Sequence, residues 1–386
     1  MTQPNQQYFY FIHDILIILR CIQKLNMKIN LFDLNINQQT NKNIKSKIFK
    51  LMEDKDFILG EEVLKLEKNM SDFLDTSYAV GVNSGTDALE LSLKAVGIKS
   101  GDNVIVPGFS FFATSEVVYK LNAEPLYCDI NIDDLTIDRN SFDDLLDRKI
   151  KSVIPVHLFG NSSNLEHIKK RSTELNFTII EDVAQAFGSK YKDRMLGSIG
   201  DTGCFSFYPT KNIGAFGDGG LVTTKSKRVY KNLLALRNHG ITNENYVHNF
   251  VGYNSRLDTI QAIVLNEKLK IIKKQLSKRV EINNWYLKEL SSIPYIKVHS
   301  QPNQPMNLLP ISFESKKYKE KVVQKLNNNN VSTGKYYPLG LHKQPFIKKQ
   351  KKLKNVEWAT ENIVTLPNHP NLKKYELEYI HKLLKV

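Results

Sequence analysis

Phe177-Thr178-Ile179-Ile180-Glu181-Asp182-Val183-Ala184-Gln185-Ala186 is the stretch that decides the fold. Its first half is apolar and β-branched, an acidic pair follows, and no turn residue interrupts it. A strand buried on both faces reads this way, with its polar groups gathered at the C-terminal end. Upstream, Leu165 to Leu175 has helical spacing, and Ser152-Val153-Ile154-Pro155-Val156-His157 before it is a second strand. Further back, Asn103-Val104-Ile105-Val106-Pro107 and Glu124-Pro125-Leu126-Tyr127-Cys128-Asp129 flank a helical stretch that reaches Leu121. Strands alternating with helices predict an α/β fold, a mostly parallel sheet with helices on both faces. Such sheets take ligands beyond the C-terminal ends of their strands, where Asp182 and Gln185 stand.

Outward from this centre, Ile44 to Asp75 keeps apolar residues at helical spacing. Near Leu257 the texture changes to a long Leu/Ile/Lys helix reaching Leu290. Beyond Pro294, short strands and two or three helices predict a smaller second domain. The expected division is a large domain over 27–256 and a small one over 257–386. Residues 1–26 stand apart as an extension. Tyr8 to Ile22 is apolar but broken by His13, Asp14 and Arg20, too short and too charged to span a bilayer. It lacks the basic start and small-residue cleavage site of a signal peptide. Met27 opens a new pattern, so the extension is expected to be dispensable.

Across 386 residues, 41% hydrophobic and 24% charged is the composition of an ordinary soluble globular protein. It excludes collagen-like, coiled-coil and wholly disordered chains. The net charge is 54 − 40 = +14. The basic residues are not interleaved with aromatics, so no nucleic-acid surface is predicted. Runs such as Asn327-Asn328-Asn329-Asn330 match an A/T-rich codon bias instead. Cys21, Cys128 and Cys204 form no CxxC pair, which leaves neither a disulfide framework nor a zinc cage and fits a reducing cytoplasm.

Three elements carry chemistry. Asn83-Ser84-Gly85-Thr86-Asp87-Ala88-Leu89 runs from a strand end into a helix, leaving the amides of Gly85 and Thr86 free for an anion such as phosphate. Taken alone, a Ser-Gly-Thr cap is common in proteins without ligands. Asp182 and Gln185 share a crevice and have the spacing to hold a flat heterocycle by opposite edges; a plain helix cap is the other reading. Ser206-Phe207-Tyr208-Pro209-Thr210-Lys211-Asn212 places a lysine before four glycines, Gly214, Gly217, Gly219 and Gly220. Those glycines are expected to allow a tight, positive-φ backbone around the amine. Burial would depress its pKa and leave it nucleophilic, as a Schiff-base lysine requires. A solvated loop lysine is the alternative. A P-loop fails, because the lysine precedes the glycines.

With these come Pro155-Val156-His157-Leu158-Phe159-Gly160, Arg237-Asn238-His239-Gly240, Gly252-Tyr253-Asn254-Ser255-Arg256-Leu257-Asp258, Tyr336-Tyr337-Pro338-Leu339 and Thr365-Leu366-Pro367. In this order, from about Met27 to the C-terminus, the motifs resemble the DegT/DnrJ/EryC1/StrS family of pyridoxal-phosphate sugar aminotransferases. The resemblance implies the PLP-dependent transferase type I (aspartate aminotransferase-like) fold, with a small C-terminal α+β domain. It implies Lys211 as the cofactor lysine, Asp182 on the ring nitrogen, Gln185 beside the ring hydroxyl and Phe111 on the ring face. It implies Gly85, Thr86 and Ser206 on the phosphate, joined by Asn254 from the partner in a homodimer with shared active sites. His157, Arg256 and Tyr337 are the implied substrate contacts, and no metal is expected.

The implied reaction moves the amino group of L-glutamate, by way of pyridoxamine phosphate, to a keto carbon of a nucleotide-diphosphate-linked (UDP or dTDP) deoxysugar, releasing 2-oxoglutarate. The loop from Lys211 to Gly220 resembles that of members aminating C3 more than the shorter loop of many C4 enzymes. Related 3-dehydratases carry His where this chain has Lys211, which favours amination. A cyclitol ketone is the other acceptor class. A non-catalytic binding or regulatory protein of this fold is the rival from outside catalysis, and it is opposed by the intact Lys211, Asp182 and Ser-Gly-Thr turn.

Overall fold

The computed structural model describes residues 28–385, apart from 148, 243–245 and 348–350. The expected extension over 1–26, with Cys21, lies outside the described residues. The chain opens with helices α1 (Gln38–Asp54) and α2 (Glu61–Leu74), then β1 (Tyr78–Val82) and α3 (Gly85–Val96). Strand β2 (Asn103–Pro107), α4 (Ala113–Lys120), β3 (Glu124–Cys128), the short α5 (Arg139–Asp143) and β4 (Ile150–Val153) follow. Next are α6 (Leu165–Leu175), β5 (Thr178–Asp182), a small hairpin of β6 (Lys190–Tyr191) and β7 (Arg194–Met195), β8 (Thr202–Ser206), β9 (Gly220–Thr224) and α7 (Lys227–Leu236).

These strands form a seven-stranded sheet in the order β1-β9-β8-β5-β4-β2-β3. Every neighbouring pair is parallel except the two that involve β9. β5 is buried along nearly its whole length, as its unbroken apolar run demands. Leu66, Met70, Phe205 and Leu265 pack one face of the sheet; Leu89, Val104, Ile180 and Leu233 pack the other. The helices have local stops. Asn164 caps α6, accepting from the His167 amide at 3.2 Å, and Gly97 ends α3 in the left-handed region at φ 101°.

The remainder comprises α8 (Thr259–Leu269), α9 (Ile272–Leu290), β10 (Ile296–Val298), β11 (Leu309–Phe313), α10 (Lys316–Asn328), α11 (Lys354–Asn362), β12 (Val364–Leu366) and α12 (Lys374–Leu384). β10, β11 and β12 make an antiparallel sheet covered by helices, the α+β lobe. Three expectations need correction. The helical spacing of 44–75 is two helices, because Lys55 and Leu59 take positive φ between them. The long helix from Leu257 breaks near Lys270–Ile271. The boundary after Arg256 also moves, since Ala262 and Leu265 of α8 and Ile272 and Leu276 of α9 pack in the large lobe's core. Only from Ile282 does α9 join the small lobe. Ile29 packs there too, bridged in parallel to Val331, so the start of the described chain belongs to the C-terminal lobe. Among the described residues no helix is long and apolar enough to cross a membrane.

Candidate active site

A cavity of about 820 Å³ lies beyond the C-terminal ends of β1, β5 and β8, roofed by 335–338 from the small lobe. Gly85, Thr86, Phe111, Asp182, Gln185, Ser206, Lys211 and Tyr337 all line it. Sequence neighbours contribute few of these: strand ends scattered over more than 100 residues of chain converge here because the strands run parallel.

Its floor is Asp182, 5% exposed at the end of β5. One carboxylate oxygen accepts from Thr114 Oγ1 at 3.1 Å and the other from the Ala184 amide at 3.1 Å. Thr114 in turn shares a hydroxyl contact of 2.9 Å with Ser110. Burial pushes the Asp182 carboxyl up, opposed by those two donors and more weakly by the Lys211 charge. A buried carboxylate held only by neutral donors is short of positive charge, which a protonated ring nitrogen would supply.

Lys211 sits between β8 and β9, and burial pushes its ammonium down to about 8, against the pull of Asp182. Its flanks are clamped. Asn307 Nδ2 donates to the Thr210 carbonyl at 3.1 Å, and Asn212 Nδ2 donates to the carbonyls of Pro305 at 2.8 Å and Phe187 at 3.1 Å. The expected positive-φ glycines are not found. Gly214, Gly217, Gly219 and Gly220 all lie outside the left-handed region. Their role is close approach. A Cβ on Gly214 would meet the Pro209 carbonyl at 2.3 Å, and one on Gly220 would meet the Ser84 carbonyl at 2.2 Å.

The anion cradle is at the N-terminus of α3. Ser84 Oγ caps the helix by accepting from the Asp87 amide at 3.0 Å. The Gly85 and Thr86 amides have no acceptor within the helix by position, and both residues line the cavity. A Cβ on Gly85 would stand 2.7 Å from Ser206 Cβ, so only glycine brings these amides beside the Ser206 hydroxyl. Two amides and a hydroxyl at a helix N-terminus are a phosphate site. Gln185 spans the far wall, accepting from the Phe159 amide at 3.0 Å and donating to Tyr337 Oη at 2.8 Å. Phe111 is 58% exposed, its ring 6.3 Å from that of Tyr337.

Three expected residues are not in this cavity. His157, an implied substrate contact, does not line the cavity. It is fully buried, its Nε2 3.2 Å from Glu181 and its Nδ1 accepting from the Ser163 amide at 3.1 Å. Since Nδ1 accepts, Nε2 carries the proton and donates to Glu181. Burial pushes the Glu181 carboxyl up, but His157 and the Gly200 and Gly197 amides outweigh it and hold it below the usual range. Arg256 is half-buried outside the cavity, donating to Asn238 Oδ1 at 3.1 Å. Asn254 is exposed, bridged to Asn238. Thr114, Asn307 and Lys335 line the cavity without having been expected. Thr114 lies one helical turn beyond Phe111, a spacing that points at the same face; the other two come from the distant lobe and carry no local signal.

The DegT/DnrJ/EryC1/StrS aminotransferase family model matches residues 38–385. The chain belongs to this family. Two similar proteins are each 32% identical to it. One is the UDP-2-acetamido-2-deoxy-3-oxo-D-glucuronate aminotransferase of Pseudomonas aeruginosa, aligned over 84% of this chain and 90% of that protein. The other is the UDP-N-acetyl-3-dehydro-alpha-D-glucosamine 3-aminotransferase of Acidithiobacillus ferrooxidans, over 88% and 92%. The crystal structure of Streptomyces venezuelae DesV superposes with a TM-score of 0.88 at 29% identity, covering 93% of this chain and 98% of that one. This family member has the type I fold and is a pyridoxal-phosphate-dependent sugar aminotransferase. The charge-deficient Asp182, the depressed Lys211 and the Gly85 cradle fit that cofactor.

Proposed function

We propose that the chain transfers the amino group of L-glutamate to C3 of a nucleotide-diphosphate-linked keto-deoxysugar. The observation that carries this is one cavity holding a depressed lysine amine, a buried carboxylate and a phosphate cradle. Pyridoxal phosphate supplies there a carbonyl that carries the amino group and a protonated ring that withdraws electrons. Asp182 holds the ring nitrogen, and Thr114 and the Ala184 amide hold Asp182. Gly85, Thr86 and Ser206 hold the phosphate, Phe111 lies on the ring face, and Gln185 and Tyr337 form the opposite wall. The Lys211 amine takes a proton from the reacting carbon and returns it, which a group near neutral pKa does in both directions. C3 is favoured because both curated relatives named above act on 3-keto sugars by their names.

The working unit in this proposal is a homodimer. Asn254 is exposed and away from its own cavity, and Tyr208 and Phe111 leave 52% and 58% of their surface open at the cavity's edge. A second copy offering Asn254 to the phosphate covers these rings and completes the site. A panel of 3-keto and 4-keto nucleotide sugars, with glutamate as donor and product position assigned by NMR, tests the activity. Amination at C4 alone would overturn the C3 assignment, and no amination of any member would overturn the substrate class.

A further inference from the structure

The cavity has two cationic side chains, Lys211 and Lys335, facing two acidic ones, Asp182 and Asp218. Lys211 is committed to proton transfer. Lys335 is not, and among the described residues no carboxylate forms an ion pair with it. It stands exposed on the roof, with its backbone fixed. The preceding Gly334 exchanges hydrogen bonds with Thr365 at 3.0 and 2.9 Å, stitching the roof to the edge of β12. A Cβ on Gly334 would fall 2.5 Å from Thr365 Oγ1, so the approach is close.

Behind Lys335 the positive charge continues. Lys319, in the first turns of α10, donates to the Glu361 carbonyl, and the ammonium of Lys335 is one of the charges acting on it. Burial is the main cause that pushes the Lys319 ammonium down; the charges of Lys335 and Lys316 push the same way, and those of Glu361 and Glu320 oppose them. Lysines at the start of a helix oppose its dipole; here Lys316 has Glu320 at 3.8 Å, whereas Lys335, outside the helix, has no such carboxylate among the described residues. The charges thus run outward from the cavity mouth, away from the buried floor. A small carboxylate is satisfied at one point; a nucleotide sugar whose keto carbon is at Lys211 carries its diphosphate further out.

We propose that Lys335, supported by Lys319, binds the diphosphate of the nucleotide sugar at the cavity mouth. This rests on the function proposed above. Lysine acts here as a point charge for phosphate oxygens and raises the local concentration of an anionic substrate. The glutamate α-carboxylate has the same chemistry, and the two sources separate because the donor and acceptor bind in different half-reactions.

The test compares Lys335→Gln and Lys335→Arg with the wild-type holoenzyme, using UDP and dTDP as competitive inhibitors and KM values for both substrates. For Lys335→Gln, the KM of the ketosugar and the Ki of its nucleoside diphosphate should rise at least about tenfold. The KM for glutamate should stay within about twofold, Lys335→Arg should recover most of the loss, and the effect should shrink in high salt. Unchanged Ki and ketosugar KM in Lys335→Gln would overturn the assignment, as would a rise confined to glutamate. Inhibitor affinity, followed by titration calorimetry, needs no turnover. If the wild type aminates no nucleotide sugar yet binds the diphosphate through Lys335, the activity falls and the anion site stands; turnover that ignores Lys335 gives the reverse.

Discussion

Replacing Gly220 by alanine tests whether the phosphate cradle is built by backbone contact. The added methyl would lie 2.2 Å from the Ser84 carbonyl oxygen and 3.0 Å from the Gly85 amide nitrogen. Ordinary contact begins at 3.4 Å, so the oxygen must retreat by 3.4 − 2.2 = 1.2 Å. Gly220 has no positive φ, so alanine suits its backbone and any effect comes from the clash alone. Nor can β9 back away, because Gly220 is in register with Val82 on one side and Ser206 on the other. Overpacking of this kind costs about 1–3 kcal/mol. A displaced Gly85 amide also loses a charge-assisted bond to phosphate, raising the cofactor Kd about tenfold or more. Denaturant midpoints and an absorbance titration of the apoprotein with pyridoxal phosphate measure both. The control is Gly217→Ala, whose methyl would meet only the end of the Gln261 side chain, at 3.1 Å. Equal affinities for wild type and Gly220→Ala, or equal losses in both variants, would refute the contact argument.

Lys211→Ala should abolish glutamate-dependent transamination while circular dichroism and the denaturant midpoint stay near wild type; retained turnover removes the lysine from the chemistry. Because the Lys211 ammonium is pushed down to about 8, the rate of cofactor loading into the apoprotein should climb with pH and level off above that value. The folded chain then binds fewer protons than the unfolded one between about 8 and the ordinary 10.5, so this group adds stability as pH rises through that window. A loading rate still climbing near 10.5 would place the amine in solvent. Asp182→Asn keeps an acceptor for the Ala184 amide, and its Nδ2 can donate to Thr114 Oγ1, a hydroxyl able to accept, but the charge is lost and turnover should drop at least about a hundredfold; near-normal rates would disconnect it from the ring nitrogen. Mixing Lys211→Ala with Asn254→Ala chains should restore about a quarter of wild-type activity if pairing is random and sites are shared, whereas verified mixed dimers without recovery would confine Asn254 to its own chain.

What was legible in the sequence was whatever repeats locally. The buried strand ending in Glu181-Asp182 and the capped turn at Ser84 each declare themselves within a few residues. The glycines after Lys211 were legible as a feature and misread as to cause, because composition cannot distinguish positive φ from close approach. His157 is a substrate contact only by what the resemblance implies, and no local pattern shows which way its ring turns. It is instead bonded to Glu181, whose three amide donors from Gly197, Ile199 and Gly200 come from a loop 16–19 residues away. Asn307, Lys335 and the shift of α8 into the large lobe depend on how two cores meet, and no short-range pattern encodes that.

The reversal of β9 explains why the lysine is where it is. Consecutive parallel strands need a crossover that carries the chain back to the opposite end of the strands. β8 and β9 are antiparallel, so residues 207–219 leave and re-enter the sheet on the side where β5 presents Asp182. The connection needs no helix, and Lys211 stays at the strand ends throughout. The same reversal starts β9 at Gly220, directly against the turn that opens α3. One antiparallel strand therefore brings the lysine loop, the carboxylate and the cradle to the same end of the sheet. Asn212 and Asn307 then fix the loop from the small-lobe side, so that the placement of the amine depends on contact between the lobes.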